Sequence, residues 1–181
     1  LGRIRAVETT RLSARLSDGA QKDHHGDAIE ELLTFDLHLL AWAFGRPTTI
    51  AARAVEENGR ARHVAALVSY PGLVASCTAS SYLPAGFPFT ERTRVFCDAG
   101  HVEVVLTIAR DGVRWTYEIA RSNAEVERVP FAAEDPSTAQ MRHFVQLSLG
   151  EVKDNRADGR AARQMLELTI AAAAAAHRRA R

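Results

Sequence analysis

In the segment "EELLTFDLHLLAWAFG", Glu31, Asp36 and His38 stand within a few helical turns of one another, with Phe35 and Trp42 between and beyond them. Carboxylates and an imidazole at this spacing are the groups that general acid–base chemistry uses, and the two rings are the kind that pack against neighbours or stack on a sugar. At about 100° per residue, Ile29, Leu32, Leu33, Leu37, Leu40 and Phe44 share one broad apolar arc. Glu31, Phe35, His38 and Trp42 gather along one border of that arc, where a cleft-facing stripe belongs. Asp36 falls inside the arc, and a buried carboxylate needs partners or shifts its pKa.

Other chemistry-bearing residues are more scattered. "DHHGD" (23–27) joins two histidines to two acids, but adjacent histidines in a polar loop do not by themselves set up a metal site, and none is expected. His63, His101 and His143 are isolated. Cys77 and Cys97 sit in apolar, strand-like runs and read as small core residues. Glu91, Arg92 and Arg94 follow a Gly-Phe-Pro loop, and an arginine there could reach a substrate carboxylate. The run of alanines near the C-terminus is helix propensity without chemistry.

The elements that must position these groups are legible. Residues 3–16 read as an arginine-rich strand and 18–26 as a polar loop. Asp27 is the expected N-cap of the opening helix, with Glu30 at capping-box spacing, and Gly45 and Pro47 stop it. Turn signals then recur at Asn58-Gly59, Pro71-Gly72, Ala99-Gly100 and Asp111-Gly112. The β-branched and aromatic runs between them predict an antiparallel meander of about six strands, with residues 124–129 able to add another. Asp135-Pro136 opens a helix closed by Gly150, and a last helix starts near Asp158. The order implies an α+β domain: one large, mostly antiparallel sheet with helices packed on one face. "VASCTA" and "VEVVLTIA" are too apolar to leave the other face wet, so a second copy is expected there, in a dimer or tetramer.

The 181 residues are 46% hydrophobic and 25% charged, with a formal net charge of +1. That suits a single domain with a core of its own, and gives no argument for a nucleic-acid or membrane partner. Arginine supplies the positive charge almost alone, beside Lys22 and Lys153, which with the many alanines suggests a GC-rich bacterial genome. No run of about 18 apolar residues and no signal peptide are visible, and the cytoplasm is the expected compartment. Leu1 opens directly on strand-like sequence, so the chain reads as part of a longer protein.

"LGRIRAVETTRLSARL", the helix ending "LHLLAWAFGRP", "YLPAGFPFTERTRVFCDAGHVEV" and "DPSTAQMRHFVQLSLGEVKDNRADGRAARQMLEL" occur in one order across essentially the whole chain. Together they resemble the C-terminal domain of the glucose–fructose oxidoreductase/inositol dehydrogenase/rhizopine-catabolism (Gfo/Idh/MocA) family. The resemblance implies a parent whose N-terminal half is a Rossmann domain binding NAD or NADP. No G-x-G-x-x-G after a strand occurs here, so residues 1–181 are expected to hold no cofactor alone and to be inactive alone. The domain would form one wall of the cleft for a sugar, polyol or related hydroxy substrate, pack on its own Rossmann domain and build the oligomer.

The family's helix often carries an acid, three residues, then a histidine or tyrosine that exchanges a proton with the substrate hydroxyl, then another acid. Anchored on Trp42 and Gly45, those positions are Glu31, Phe35 and His38. Phenylalanine cannot donate or accept a proton. The resemblance therefore implies His38 and Glu31 as proton-handling candidates, Asp36 as a third, and Phe35, Trp42 and Arg92 as cleft residues. The loss at position 35 keeps a second reading open, a non-catalytic dimerisation or ligand-binding module; a third is an unrelated α+β binding domain.

Overall fold

A computed structural model describes residues 1–14, 27–122, 124–130, 136–153 and 158–177. His24 and His25, Asp135 and the basic residues beyond His177 lie outside them. The strands are β1 (Ile4–Ala14), β2 (Thr49–Glu57), β3 (Arg60–Tyr70), β4 (Leu73–Leu83), β5 (Phe89–Cys97), β6 (Gly100–Ala109), β7 (Gly112–Arg121) and β8 (Glu127–Arg128). A π-helical turn, Ile29–Leu33, leads into α1 (Thr34–Phe44); α2 (Pro136–Ser148) and α3 (Gly159–Ala176) follow the sheet.

All eight strands form one sheet in the order β2-β3-β4-β1-β5-β6-β7-β8. The α+β expectation holds, but the meander is not continuous. β1 inserts between β4 and β5, parallel to the first and antiparallel to the second. Alternation told which residues of β1 share a face, but the choice of neighbours is a long-range pairing that local pattern does not encode. β5 also begins earlier than the sequence suggested, so Glu91 and Arg92 are strand residues and point to opposite faces.

Directly paired residues share a face, so the register draws rows across the sheet. One row, Ala54–Val64–Ala79–Arg11–Glu91–Leu106–Trp115, lies on the helix side, as do Ala52–Ala66–Cys77–Thr9–Thr93–Val104–Tyr117 and Ile50–Val68–Ala75–Val7–Val95–Val102–Ile119. Small residues such as Ala52, Ala66, Ala75 and Ala79 let the helices sit close on β2–β4, where Ile29, Leu33, Leu37 and Leu40 are sealed from solvent. α3 adds Leu168, Ala172 and Ala175, and the hydroxyls of Thr34 and Thr169 join α1 to α3 at 2.8 Å. The helices that pack on the sheet lie over β1–β4, so the described helix cover thins out at β1.

The opposite face has two halves. Over β2–β4 it is a shallow apolar depression lined by Ala51, Ala65, Leu67, Ser76 and Thr78. From β1 outward it carries ion pairs, Glu8–Arg94–Glu103 and Glu118–Arg128, with Arg92 also on Glu103. Arg92, Arg94 and Arg128 there each face an acid, and His101 stacks on Phe96 with ring centroids 5.9 Å apart.

Local signals set the turns and helix ends. Asn58 and Gly59 both have positive φ, as a type I′ hairpin requires. Gly100 must be glycine, because a Cβ there would stand 2.3 Å from the carbonyl oxygen of Ala120. Asp158 caps α3 through Ala161 N–H at 2.7 Å. Asp27 does more than cap: its Oδ1 accepts from the amides of Ile29 and Glu30, and its Oδ2 accepts from Ala61 N–H at 3.0 Å. The helix start is thereby tied to β3. Asp27→Ala removes both functions and is expected to lower stability by about 2 kcal/mol, the upper end for a cap. Urea unfolding checks this; an unchanged midpoint would mean that the tie to Ala61 contributes nothing.

Candidate functional site

The centre of the helix-side face is a buried charge. Arg11 is 8% exposed, in the register position that Val7 and Thr9 fill with ordinary core contacts. Its Nη1 donates to Glu91 Oε2 at 2.7 Å and its Nη2 to Asp36 Oδ1 at 3.1 Å. The guanidinium carbon lies 5.3 Å from the ring centroid of Phe35 and 6.0 Å from that of Phe89. Both distances fall within cation–π range, so one cation is held by two carboxylates and two rings. Three elements contribute: β1 gives Arg11, α1 gives Phe35 and Asp36, and β5 gives Phe89 and Glu91.

Asp36 is 1% exposed. Burial pushes its carboxyl up to about 6; the Arg11 guanidinium opposes that rise, and the negative charge of Glu91 adds to it. Its Oδ2 and the neighbouring Thr9 hydroxyl have no hydrogen-bond partner of good geometry among the described residues, nor does Arg11 Nε. Behind them burial pushes the Cys77 thiol up to about 12, which leaves it protonated and unreactive. Cys77 and Cys97 are both free.

The border stripe read from the sequence is present. Glu31 and His38 are half-buried, and Phe35 and Trp42 are 55% and 63% exposed. Glu31 sits in the π-helical turn, a feature that often marks functional sites and that no residue pattern announced; it is already engaged with a neighbour. His38 makes no hydrogen bond or ion pair among the described residues.

Two expected site residues are placed differently. Asp36 is behind Arg11 and sealed from solvent, and its partner is a strand arginine. Arg92 is on the other face of the sheet, 3.4 Å from Glu103, because β5 includes it in the phase opposite to Glu91. Conversely, Arg11, Glu91 and Phe89 form the site's centre and were not singled out together. The only local trace of Arg11 is an arginine in the buried phase of "VETTR"; its meeting with Glu91 depends on β1 lying beside β5.

Among the described residues no group of three histidine, cysteine or acidic side chains could hold a metal ion. No described helix is long and apolar enough to cross a membrane. Among the described residues no glycine-rich strand–turn–helix cradle of the kind that holds a dinucleotide pyrophosphate is present.

With sheet, helix layer and charge cluster in hand, the comparison with known proteins is decisive on one point. The family model for the GFO/IDH/MocA C-terminal domain matches residues 1–103. The chain belongs to this family. Solved structures share the fold over nearly all of this GFO/IDH/MocA domain. UDP-N-acetylglucosamine 3-dehydrogenase GnnA from Acidithiobacillus ferrooxidans is 22% identical, covering 96% of this chain and 54% of that one, with a TM-score of 0.79. The aldose-aldose oxidoreductase from Caulobacter crescentus, complexed with glycerol, is 17% identical over 97% and 54%, with a TM-score of 0.77. The WlbA dehydrogenase from Bordetella pertussis, in complex with NADH and UDP-GlcNAcA, is 17% identical over 97% and 52%, with a TM-score of 0.67. The domain thus spans about half the length of these neighbours, and identities this low establish fold alone. No match is found among curated proteins.

The raised carboxyl has a sign that can be measured. A folded value above the unfolded one means that the native state holds the proton more tightly. Asp36 therefore contributes no penalty below pH 4 and its full penalty above pH 6. Relative to Asp36→Asn, wild-type stability should fall as pH rises through that window, by on the order of 3 kcal/mol in all. Denaturant unfolding of both proteins at pH 4, 6 and 8 checks this. A difference that stays flat, or grows with pH as for a carboxylate stabilised by a salt bridge, would contradict it.

Proposed function

We propose that this domain forms the substrate-side wall of a nicotinamide-dependent oxidoreductase acting on a sugar, polyol or related hydroxy compound. The observation that carries the reading is the assembly at the edge of the helix cover. There a cation locked between Phe35 and Phe89 meets a half-exposed Glu91 and the border stripe of α1. Rigid rings beside a carboxylate suit a polyhydroxy ligand, because the rings take its C–H face and the carboxylate its hydroxyls. Membership in an oxidoreductase domain family supports the class, and the sugar-handling titles of the neighbours support the substrate type.

On this reading the dinucleotide belongs to a further domain, and the residues here bind, orient and exchange protons. His38, exposed enough to meet a ligand and able both to donate and to accept a proton, is the proton-handling group, with Glu31 beside it. Phe35 occupies the place where the resemblance puts that group and closes over Arg11 instead.

A second reading keeps the binding and drops the turnover. Phe35 carries no proton, and both in-plane ends of the Arg11 guanidinium are spent on carboxylates. The module would then bind a ligand or a partner without chemistry.

The two readings part in one experiment. The longer protein that contains this domain is assayed for nicotinamide reduction with UDP-N-acetylglucosamine, aldoses and polyols, with and without His38→Ala. The first reading expects turnover that His38→Ala lowers by about 100-fold or more. Turnover unaffected by His38→Ala removes the assignment to His38. Sugar binding without any turnover establishes the second reading.

The open face is proposed as the contact with a second copy, its apolar depression over β2–β4 included. Eight strands present a footprint on the order of 1,000 Å², beside the roughly 800 Å² per partner of a stable interface. Sedimentation should show a dimer for the wild type and a monomer for Leu67→Glu, since Leu67 is 49% exposed on that face. A wild-type monomer at micromolar concentration would sink the idea.

A further inference from the structure

The charge balance around Arg11 says which ligands this wall can take. In the three helix-side rows over β1–β7, Arg11 is the only basic residue and Glu91 the only acid. α1 and the turn before it add Glu30, Glu31 and Asp36, and their only basic side chain is His38, which is charged only when protonated. Within these described rows, α1 and the turn before it, the single fixed cation is thus outnumbered by acids.

That cation is also not free to serve a ligand. Its two terminal nitrogens are bonded to Glu91 and Asp36, two rings cover it, and its side chain is 10% exposed. Glu91 is different: its side chain is 27% exposed, and only its Oε2 is bonded to Arg11, so its carboxylate is the charge a ligand meets first. The other arginines of β5 offer no relief. Arg92 and Arg94 stand on the opposite face, paired with Glu103 and Glu8.

We propose that the wall formed by Phe35, Phe89 and Glu91 rejects carboxylate-bearing ligands and takes a neutral or amine-bearing polyhydroxy compound. The inference rests on reading this face as the substrate wall and adds the charge of the ligand. A ligand carboxylate brought beside Glu91 in a partly desolvated site meets repulsion that no free cation of the described helix-side rows or of α1 offsets. A hydroxyl donates to the same carboxylate without that penalty, and an ammonium gains a charge-assisted hydrogen bond.

The test uses the 181-residue chain labelled with nitrogen-15. It is titrated at pH 7 and low salt with D-glucose, D-glucosamine and D-glucuronate, following the amides around Phe35, Phe89 and Glu91. Glucosamine should bind at least as tightly as glucose, and glucuronate at least about ten-fold more weakly. Glu91→Gln should shrink the ratio of glucose to glucuronate affinity to within about twofold. Raising sodium chloride to 0.5 M in the wild type should shrink it too, which tests the idea even if the variant fails to fold. Glucuronate binding as tightly as glucose overturns the proposal while leaving the substrate wall in place. A ratio that ignores both salt and Glu91→Gln also overturns it. Amides that respond to none of the three sugars remove the wall itself, and the proposal with it.

Discussion

A guanidinium sunk to 8% exposure in the middle of a sheet constrains everything around it. Arg11 cannot lose its charge, so its surroundings must supply counter-charge, and two carboxylates from different elements do so. One of them, Asp36, stands on the inward side of α1, which fixes the rotation of that helix over β1. The other, Glu91, fixes which phase of β5 faces the helices. A buried ion cluster of this kind is weak evidence for stability, because desolvation consumes much of the attraction. It does penalise any arrangement that parts the partners.

The same constraint explains the site's position. Apolar packing of the helices on small strand residues covers β2, β3 and β4, and the described cover thins out where β1 presents Arg11. Beyond it the helix-side face continues over β5–β7 with Thr93, Val104 and Tyr117, which are half-buried. The border stripe of α1 overlooks that step from core to open surface. Chemistry-bearing residues collect there because only at such an edge can a charged group be anchored in the core and still meet solvent.

Phe35 shows what a ring does at the edge of the helix cover. An aromatic ring in that place covers the arginine and adds apolar surface, but it moves no proton. The titratable side chains nearest the ring that also reach solvent are His38, Glu31 and Glu91, which differ in exposure and partners. The face behind the sheet is organised on another principle. Its arginines pair with acids across strands, and the depression over β2–β4 is its apolar part.

The sequence by itself determined the local pieces. Asp27 as a cap, the start of the last helix near Asp158, Asn58-Gly59 as a turn, the alternation within each strand and the apolar arc of the first helix with Asp36 inside it are short-range consequences of residue type and spacing. The family was legible as well, because the ordered set of segments carries it without any single decisive motif. Which strands lie side by side was not legible, since pairing joins residues far apart in the chain and a period of two fits many neighbours equally well. For that reason the insertion of β1 between β4 and β5, the meeting of Arg11 with Glu91, and the removal of Arg92 to the far face were decided only by the tertiary structure. A buried charge announces that it needs a partner; where the partner comes from is a property of the fold.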